Sequence, residues 1–461
     1  MASKDAIPGL ERITGPVAWP GSVEYEDARR TFNATVDRRP AVIVGCRTVD
    51  DVVVAVRAAR EAGLSIAVRG GGHGIAGHAM ADGALAVDLR LMRRVEVDPS
   101  RRRARVAGGA LWEDVDRATL AHGLATTGGT FGDTGVGGLT LTGGIGYLMG
   151  TCGFSCDNVM RAEVVTADGS IVVAGEGGDP ELLWALRGGG GNFGVVTEFE
   201  FALYPLGPIH VGAFAVHLDH AEAALSALAD VARAAPDALV LLAVAPTTQV
   251  RQPPGTPPAG PIEYIRMAGI YQGDRAGAEA ALAPMRDLPG VVGGFAEMTY
   301  DAVQALTGLL PFGLRNYWKG YFLKDLDLAA IDHIATAARR RPPGQSFLLL
   351  ESIGGRAHDE PAGGAAFGQR GARWNASCLG IWEDPGEDSA QIGWVREAVD
   401  GLHPSSYSGA GYGNYAPPDE TADRIRAGFG DERFGRLQAI KRRFDPDNVF
   451  RHNLNIPPKA D

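Results

Sequence analysis

The stretch Arg69–His78 reads RGGGHGIAGH and sets two imidazoles on a chain nearly free of other side chains. Glycine permits close approach of backbone to a ligand, and successive glycine N–H groups can form an anion-binding concavity without a helix. Three chemistries are open to such a loop. It can cradle a phosphate or diphosphate, with Arg69 adding charge; it can hold a metal; or His73 can touch a large ligand directly. The metal reading is thin, because His73 and His78 have only Asp82 as a carboxylate in the same loop, too few ligands for a tetrahedral site. A G-x-G-x-x-G dinucleotide turn needs a helix after the glycines to face the pyrophosphate. The residues that follow, ADGALAVDL, have the apolar run of a strand instead, and no G-x-x-x-x-G-K-[ST] pattern occurs.

The loop has company. A second glycine field, TTGGTFGDTGVGGLTLTGGIGYLMG, spans Thr126–Gly150, and a third, RGGGGNFGVV, follows at 187–196. The chain holds 64 glycines in 461 residues, about twice the ~7% usual share. Periodic apolar segments separate the fields, so the glycines read as turns around a large ligand and not as disorder. Hydrophobic content of 45% and charged content of 21% suit a globular protein, and the net charge of −11 argues against nucleic acid or an anionic membrane as partner. The opening MASKDAIPGLERITG lacks the apolar core of a signal peptide, and no window reaches the ~20 apolar residues of a membrane span. Cys46, Cys152, Cys156 and Cys378 show no C-x-x-C pairing, so they read as small buried residues, with neither a zinc site nor a disulfide framework. A cytoplasmic protein is expected.

The elements that must carry these loops follow from periodicity. DDVVVAVRAAREA (50–62) and ALWEDVDRATLAHG (110–123) predict amphipathic helices. LSIAVRG and GALAVDL predict strands on either side of the first loop, and RVEVDPSRRRARVAGG and RAEVVTADGSIVVAG predict hairpins. DPELLWALRGGGGNFGVVTEFEFALYP predicts a helix, a glycine turn and a long strand. Beyond Pro205 glycine thins out, and strands such as HVGAFAVHL and EYIRMAGIYQ alternate with helices such as HAEAALSALADVARAA, predicting an antiparallel sheet. RQPPGTPPAGP (251–261) predicts a surface loop. The expected division is 1–206, 207–410 and a C-terminal segment 411–461 that returns to the first unit.

Four motifs occur in one order: RGGGHGIAGHAM, GVGGLTLTGGIGYLMGTCGFSCDNV, RGGGGNFGVVTEFEF and KRRFDPDNVFRHNLNIPP. With them the chain resembles the FAD-linked oxidases of the vanillyl-alcohol-oxidase superfamily, and within it the berberine-bridge-enzyme-like branch. The resemblance runs from about Trp19 to Pro458. It implies an α+β fold: a PCMH-type FAD-binding domain of two α/β subdomains, and a substrate domain with an antiparallel sheet covered by helices. It implies an oxidase that takes hydride from an alcohol or amine of a small molecule (a secondary metabolite, alkaloid or sugar) to flavin N5, with O2 reoxidation giving H2O2. A flavin-dependent oxygenase and a dehydrogenase with a non-oxygen acceptor stay open as alternatives, as do monomer and homodimer.

Residue by residue, the resemblance makes His73 the covalent anchor of the flavin 8α-methyl carbon. Gly70, Gly71, Gly72, Gly74 and Gly77 would line the diphosphate and ring edge, with Arg69 beside them and His78 near the flavin. Many relatives add a cysteine in G-x-C-P-x-V-G; here GTFGDTGVGG puts Phe131 in its place, so a single link is implied. Thr134 stands where a valine often gates oxygen, and Gly135, Gly137, Gly138, Gly143, Gly144 and Gly146 would continue the cradle. Asp157 and Asn158 would organise the loop around the cofactor, Gly194 and Val196 would meet the adenine half, and Asn453 and Asn455 would contact flavin from the tail. GYGNYAPPD places Tyr412, Asn414 and Tyr415 in the family's Y-x-N-Y position, which makes Tyr415, with Tyr412, the expected base. A tyrosine with its ordinary pKa near ~10 needs a positive neighbour to serve near neutrality, which the covalent flavin or an arginine such as Arg373 could supply. The other base position of the family, before Trp382 in RWNASCLGIWED, carries no acid or tyrosine, and Glu383 would face the opposite way on a strand. No carboxylate base is expected.

Overall fold

In the structure, a computed structural model, residues 7–247, 263–306 and 311–459 are described. The Pro-rich stretch 251–261 lies outside them. The first sheet has the order β1 (Val17–Ala18), β2 (Val42–Gly45), β4 (Leu85–Asp88), β3 (Ile66–Arg69). The last three are parallel, and β2 and β4 are buried along their whole length, as a parallel sheet covered on both faces requires. The helix Val49–Glu61 starts on a capping box, in which Thr48 Oγ1 accepts from the Asp51 amide and the Asp51 carboxylate accepts from the Thr48 amide. Its Val52, Ala55, Val56 and Ala59 form one helical stripe, buried in a core shared with Val42, Val44, Leu85 and Val87.

Parallel neighbours need a long crossover, usually a helix. Between β3 and β4 that crossover is residues 70–84, and it contains no helix. The glycine–histidine segment is therefore free to run as bare backbone off the end of β3, and a Rossmann-type turn is excluded.

The second sheet is antiparallel, in the order β5 (Val95–Asp98), β6 (Arg103–Ala107), β10 (Val195–Ala202), β8 (Val159–Val165), β9 (Ile171–Gly175). Phe199 and Phe201 of β10 are buried while Glu198 and Glu200, alternating with them, are half-buried on the other face, the period-two signature of a sheet with one wet face. A separate two-residue ribbon pairs β7 (Leu124–Ala125) with β11 (Tyr204–Pro205).

The third sheet has seven antiparallel strands, in the order β15 (Val292–Met298), β12 (Ile209–His217), β14 (Tyr264–Gln272), β13 (Leu239–Thr247), β17 (Phe347–Ser352), β18 (Trp374–Trp382), β16 (Arg315–Leu323). Helices Ala221–Ala234, Leu328–Arg339 and Asp388–Asp400 bury their apolar stripes on one face, against Leu348 and Leu350 among others. Leu349, on the opposite face of the same strand, packs with Phe32, Ile75 and Trp318. Alternation along β17 puts Glu351 on that second face, toward the glycine loops. Asn33 fixes the approach: its Nδ2 donates to the Ile75 and Asn316 carbonyls at 2.8 and 2.9 Å.

The tail is locked by a buried cation. Lys441, on the helix Asp431–Phe444, donates from Nζ to Asp445 Oδ2 at 2.6 Å and to the carbonyls of Asn192 and Phe450 at 2.7 and 2.9 Å. This ties the third glycine turn to the C-terminal segment, which also accepts from the Ile66 amide through Val449 O at 3.0 Å. Among the described residues no helix is long and apolar enough to cross a membrane.

Candidate active site

All three glycine fields meet at one cavity. Its wall is built from residues 70–74 after β3, from 134–138, and from 188–191 before β10, and it is closed by His452–Leu454 and Tyr412–Ala416. The space between atoms is about 1800 Å³, mouth included, and it runs from Tyr415 at one end to Ile66 and Phe450 at the other. A long ligand fits it. Gly71 and Gly135 touch backbone to backbone: a Cβ on Gly71 would lie 2.5 Å from the Gly135 nitrogen, and one on Gly135 would lie 2.2 Å from the Gly71 nitrogen. At Gly74, Gly138 and Gly191 a Cβ would instead project into open space. Among the described residues the wall contains no lysine or arginine, so an anion here is held by main-chain N–H groups, as in a nest.

Three buried polar atoms on this wall have no hydrogen-bond partner: His73 Nε2, His78 Nε2 and Asn453 Oδ1. An unmet buried polar group costs about 1–3 kcal/mol, so such a group facing a cavity marks where a ligand supplies the missing partner. The His73 ring stacks on Phe32 at 4.9 Å and 20°, and meets the edge of Phe312 at 5.0 Å and 84°. Its Nε2 stands 3.3 Å from Asp133 Oδ2, within ion-pair reach although not aligned as a hydrogen bond. Burial pushes the His78 pKa down to about 4, so this imidazole is neutral.

A second cluster stands on the same cavity. Tyr415 lines it, and behind the ring its hydroxyl donates to Glu351 Oε1 at 3.4 Å. Asn375, opposite Glu351 on β18, donates from Nδ2 to Oε2 at 2.7 Å. Burial raises the Glu351 pKa to about 7, against the opposing hydrogen bonds from Asn375 and Tyr415. Tyr415 is pushed well above its ordinary value, first by burial and then by the Glu351 and Tyr412 charges. Its ring sits edge-on to Trp318 at 5.3 Å and to Tyr412 at 4.9 Å. The Tyr412 oxygen accepts from three donors, the amides of Gly144 and Ile145 at 3.1 and 2.9 Å and Asn414 Nδ2 at 2.8 Å.

Residues 40–175 match the family description "FAD binding domain", and residues 411–457 match "Berberine and berberine like". The chain is similar from end to end to (R)-6-hydroxynicotine oxidase of Paenarthrobacter nicotinovorans, with 30% identity over 475 residues and 100% of each chain covered. It belongs to the berberine-bridge-enzyme-like FAD-linked oxidoreductases. The crystal structure of 6-hydroxy-D-nicotine oxidase from Arthrobacter nicotinovorans matches with a TM-score of 0.86 and 29% identity, covering 97% of this chain and 98% of that one. Glucooligosaccharide oxidase of Acremonium strictum, a protein with a 6-S-cysteinyl, 8α-N1-histidyl FAD, shares the fold at a TM-score of 0.84 and 24% identity, covering 98% and 99%. The chain is thus an enzyme with FAD as its cofactor, and the bare cradle with its unmet polar atoms fits that group.

Within this FAD-linked oxidoreductase the expected residues divide. His73, Gly70, Gly71, Gly72, Gly74, His78, Thr134, Gly135, Gly137, Gly138, Gly194, Val196, Asn414 and Asn453 all line the cavity, as do Tyr412 and Tyr415. Arg69 does not. Its guanidinium is buried behind the loop against Gly72, with Nη1 donating to the Ala28 carbonyl at 2.5 Å, as a buried cation needs a fixed acceptor. Gly77, Gly143, Gly144 and Gly146 stand behind the wall, where a Cβ would strike Val36, Phe367, Ser155 and the Gly128 carbonyl respectively. Asp157 and Asn158 brace the second loop from outside: Asp157 pairs with Arg370 at 2.5 Å, and Asn158 Nδ2 donates to the Phe154 carbonyl at 2.9 Å. Asn455 is also set back from the wall, with its amide oxygen buried and unpaired.

Two expectations about the base change. Arg373 is exposed and off the wall, so it gives Tyr415 no positive neighbour. No carboxylate base was expected from the sequence, yet the structure sets a buried carboxyl, Glu351 of the neighbouring strand β17, against the Tyr415 hydroxyl; Glu383 is exposed. Gly188–Gly191, Phe32, Trp318 and His452 line the site too and were not singled out. The run RGGGG was the available signal for the first group.

Proposed function

We propose that the chain is an oxidase that tethers FAD through His73 and takes hydride from an alcohol- or amine-bearing carbon of a small molecule, with dioxygen as final acceptor. The flavin, when bound, supplies the hydride acceptor at N5. The protein supplies the proton path, and the observation that carries the reading is the Tyr415–Glu351 pair on the cavity that His73 lines. Tyr415 alone is a poor base, since burial and the nearby carboxylate both oppose the phenolate. Coupled to Glu351 it needs no lasting phenolate. The Tyr415 oxygen accepts the substrate proton as its own proton passes to Glu351 Oε1, and Asn375 holds the other carboxylate oxygen in place. A carboxyl poised near pH 7 suits that acceptor role.

Phe32, Ile75 and Trp318 give this part of the wall an apolar surface that excludes water. With no lysine or arginine on the wall among the described residues, an anionic substrate finds no counter-charge there, so a small, largely apolar alcohol or amine is favoured. A single tether is supported by Phe131 on the wall and by Cys46, Cys152, Cys156 and Cys378, which are buried away from it.

The test is a donor screen. A substrate should bleach the bound flavin without air and give one H2O2 per product in air. Bleaching without peroxide would replace the oxidase by a dehydrogenase, and product carrying oxygen from labelled O2 would replace it by an oxygenase. Failure of every alcohol and amine to bleach an intact flavin would remove the reading.

A further inference from the structure

Asp133 is placed in a way that no structural role explains. Its Oδ2 stands 3.3 Å from His73 Nε2, while its Oδ1 is buried with no hydrogen-bond partner. A carboxylate kept for folding saturates its lone pairs with main-chain N–H groups or a cation. This one leaves a lone pair open and turns the other oxygen on an imidazole. Both partners are held. The Glu113 amide donates to the Gly132 carbonyl at 2.8 Å and the Trp112 amide to the Thr134 carbonyl at 3.0 Å, which pins Asp133 between them to the first turn of a helix. The imidazole is pinned by the Phe32 stack and the Phe312 edge.

We propose that Asp133 is the positioning residue for covalent attachment of the flavin at His73, which it orients so that Nδ1 is the attacking atom. The proposal rests on the reading that His73 carries the flavin. In a neutral imidazole one nitrogen donates and the other presents a lone pair, and the partner of the first decides which is which. A carboxylate facing Nε2 keeps the proton there and frees the Nδ1 lone pair. In the attachment step the Nδ1–C8α bond forms and a C8α–H bond breaks. The electron pair of that C–H bond is taken up by the flavin ring, and its proton leaves to solvent. The alkylated imidazole becomes cationic and keeps its Nε2 proton, and the Asp133 carboxylate facing that atom stabilises the charge. Dioxygen then takes the two electrons with two protons, leaving as hydrogen peroxide and returning the oxidised flavin.

The purified holoprotein is compared with Asp133→Asn, Asp133→Ala and His73→Ala. Each is precipitated with acid, and flavin is measured in pellet and supernatant, at once and during incubation with excess FAD in air. Wild type should hold its flavin in the pellet and His73→Ala should release all of it. The Asp133 variants should bind FAD yet release most of it, attaching about tenfold or more slowly, as an Asp–His pair loses rate without its carboxylate. Formate should speed attachment in Asp133→Ala, an effect a merely structural residue would not give. NMR of the flavin peptide from wild type should place the bond at Nδ1. Attachment in Asp133→Asn at the wild-type rate, or a wild-type bond at Nε2, overturns the proposal while leaving the tether intact. If neither Asp133 variant holds FAD, the wild-type linkage atom alone decides. A wild-type protein whose flavin all washes out with acid removes the parent reading, and the proposal with it.

Discussion

Replacing Glu351 by glutamine separates the stability cost of a buried carboxyl from its chemical use. Burial raises the folded-state pKa from 4.5 to about 7. Between those values the folded protein keeps a proton that the unfolded chain has released, so stability falls as pH rises through the window. The gap of about 2.5 units, at ~1.4 kcal/mol per unit, amounts to roughly 3 kcal/mol once pH exceeds the folded value. Glutamine never ionises and keeps an oxygen for Asn375. Glu351→Gln should therefore be roughly 3 kcal/mol more stable than wild type at pH 8.5 and within about 1 kcal/mol of it at pH 5. Denaturant unfolding at the two pH values, followed by tryptophan and flavin fluorescence, measures the difference. The same variant should slow anaerobic flavin bleaching by about 10²–10⁴-fold, and the rise of kcat/KM through pH 7 should vanish. A stability difference that is the same at both pH values would show that Glu351 does not titrate in the fold. Unchanged bleaching would show that no proton passes to it.

Tyr415→Phe should cut the bleaching rate by about 10²–10⁴-fold with FAD content intact, since only the hydroxyl next to Glu351 is lost; stopped-flow absorbance reads it. Tyr412→Phe should do the reverse, losing about 1–3 kcal/mol because the Gly144 and Ile145 amides lose their acceptor, while turnover largely survives. Gly71→Ala should lower FAD loading, with a destabilisation of about 1–3 kcal/mol from pushing the first loop off Gly135; the ratio of flavin to protein absorbance checks it. Lys441→Met should destabilise by about 3–5 kcal/mol by stranding Asp445 uncompensated, and a rise in flavin fluorescence on mild heating should precede global unfolding because the third glycine turn loses its anchor.

The parts of the site that were legible in the sequence are those written in local backbone needs. A run such as RGGGHG has few uses other than to bring main chain against a ligand, and the strand after it excludes a Rossmann turn from neighbouring residues alone. Glycine count misled where packing uses the same residue: Gly77, Gly143, Gly144 and Gly146 lack side chains because Val36, Phe367, Ser155 and Gly128 need the room. Arg69 misled because charge in a loop says nothing about direction, and the guanidinium turned to Ala28. Glu351 and Asp133 were illegible for a deeper reason. In FLLLES a glutamate reads as the polar end of an apolar strand, and in GGTFGDTG an aspartate reads as turn chemistry. Each has meaning only through a partner from another element, Tyr415 for one and His73 for the other. The family motif names the tyrosine and the histidine, but under the proposed function the tyrosine is a poor base, and the histidine an undirected nucleophile, until a carboxylate stands behind it. Swapping either carboxylate would leave every family motif intact, so relatives that match at the motifs are expected to differ in base strength and in flavin attachment according to what faces Tyr415 and His73.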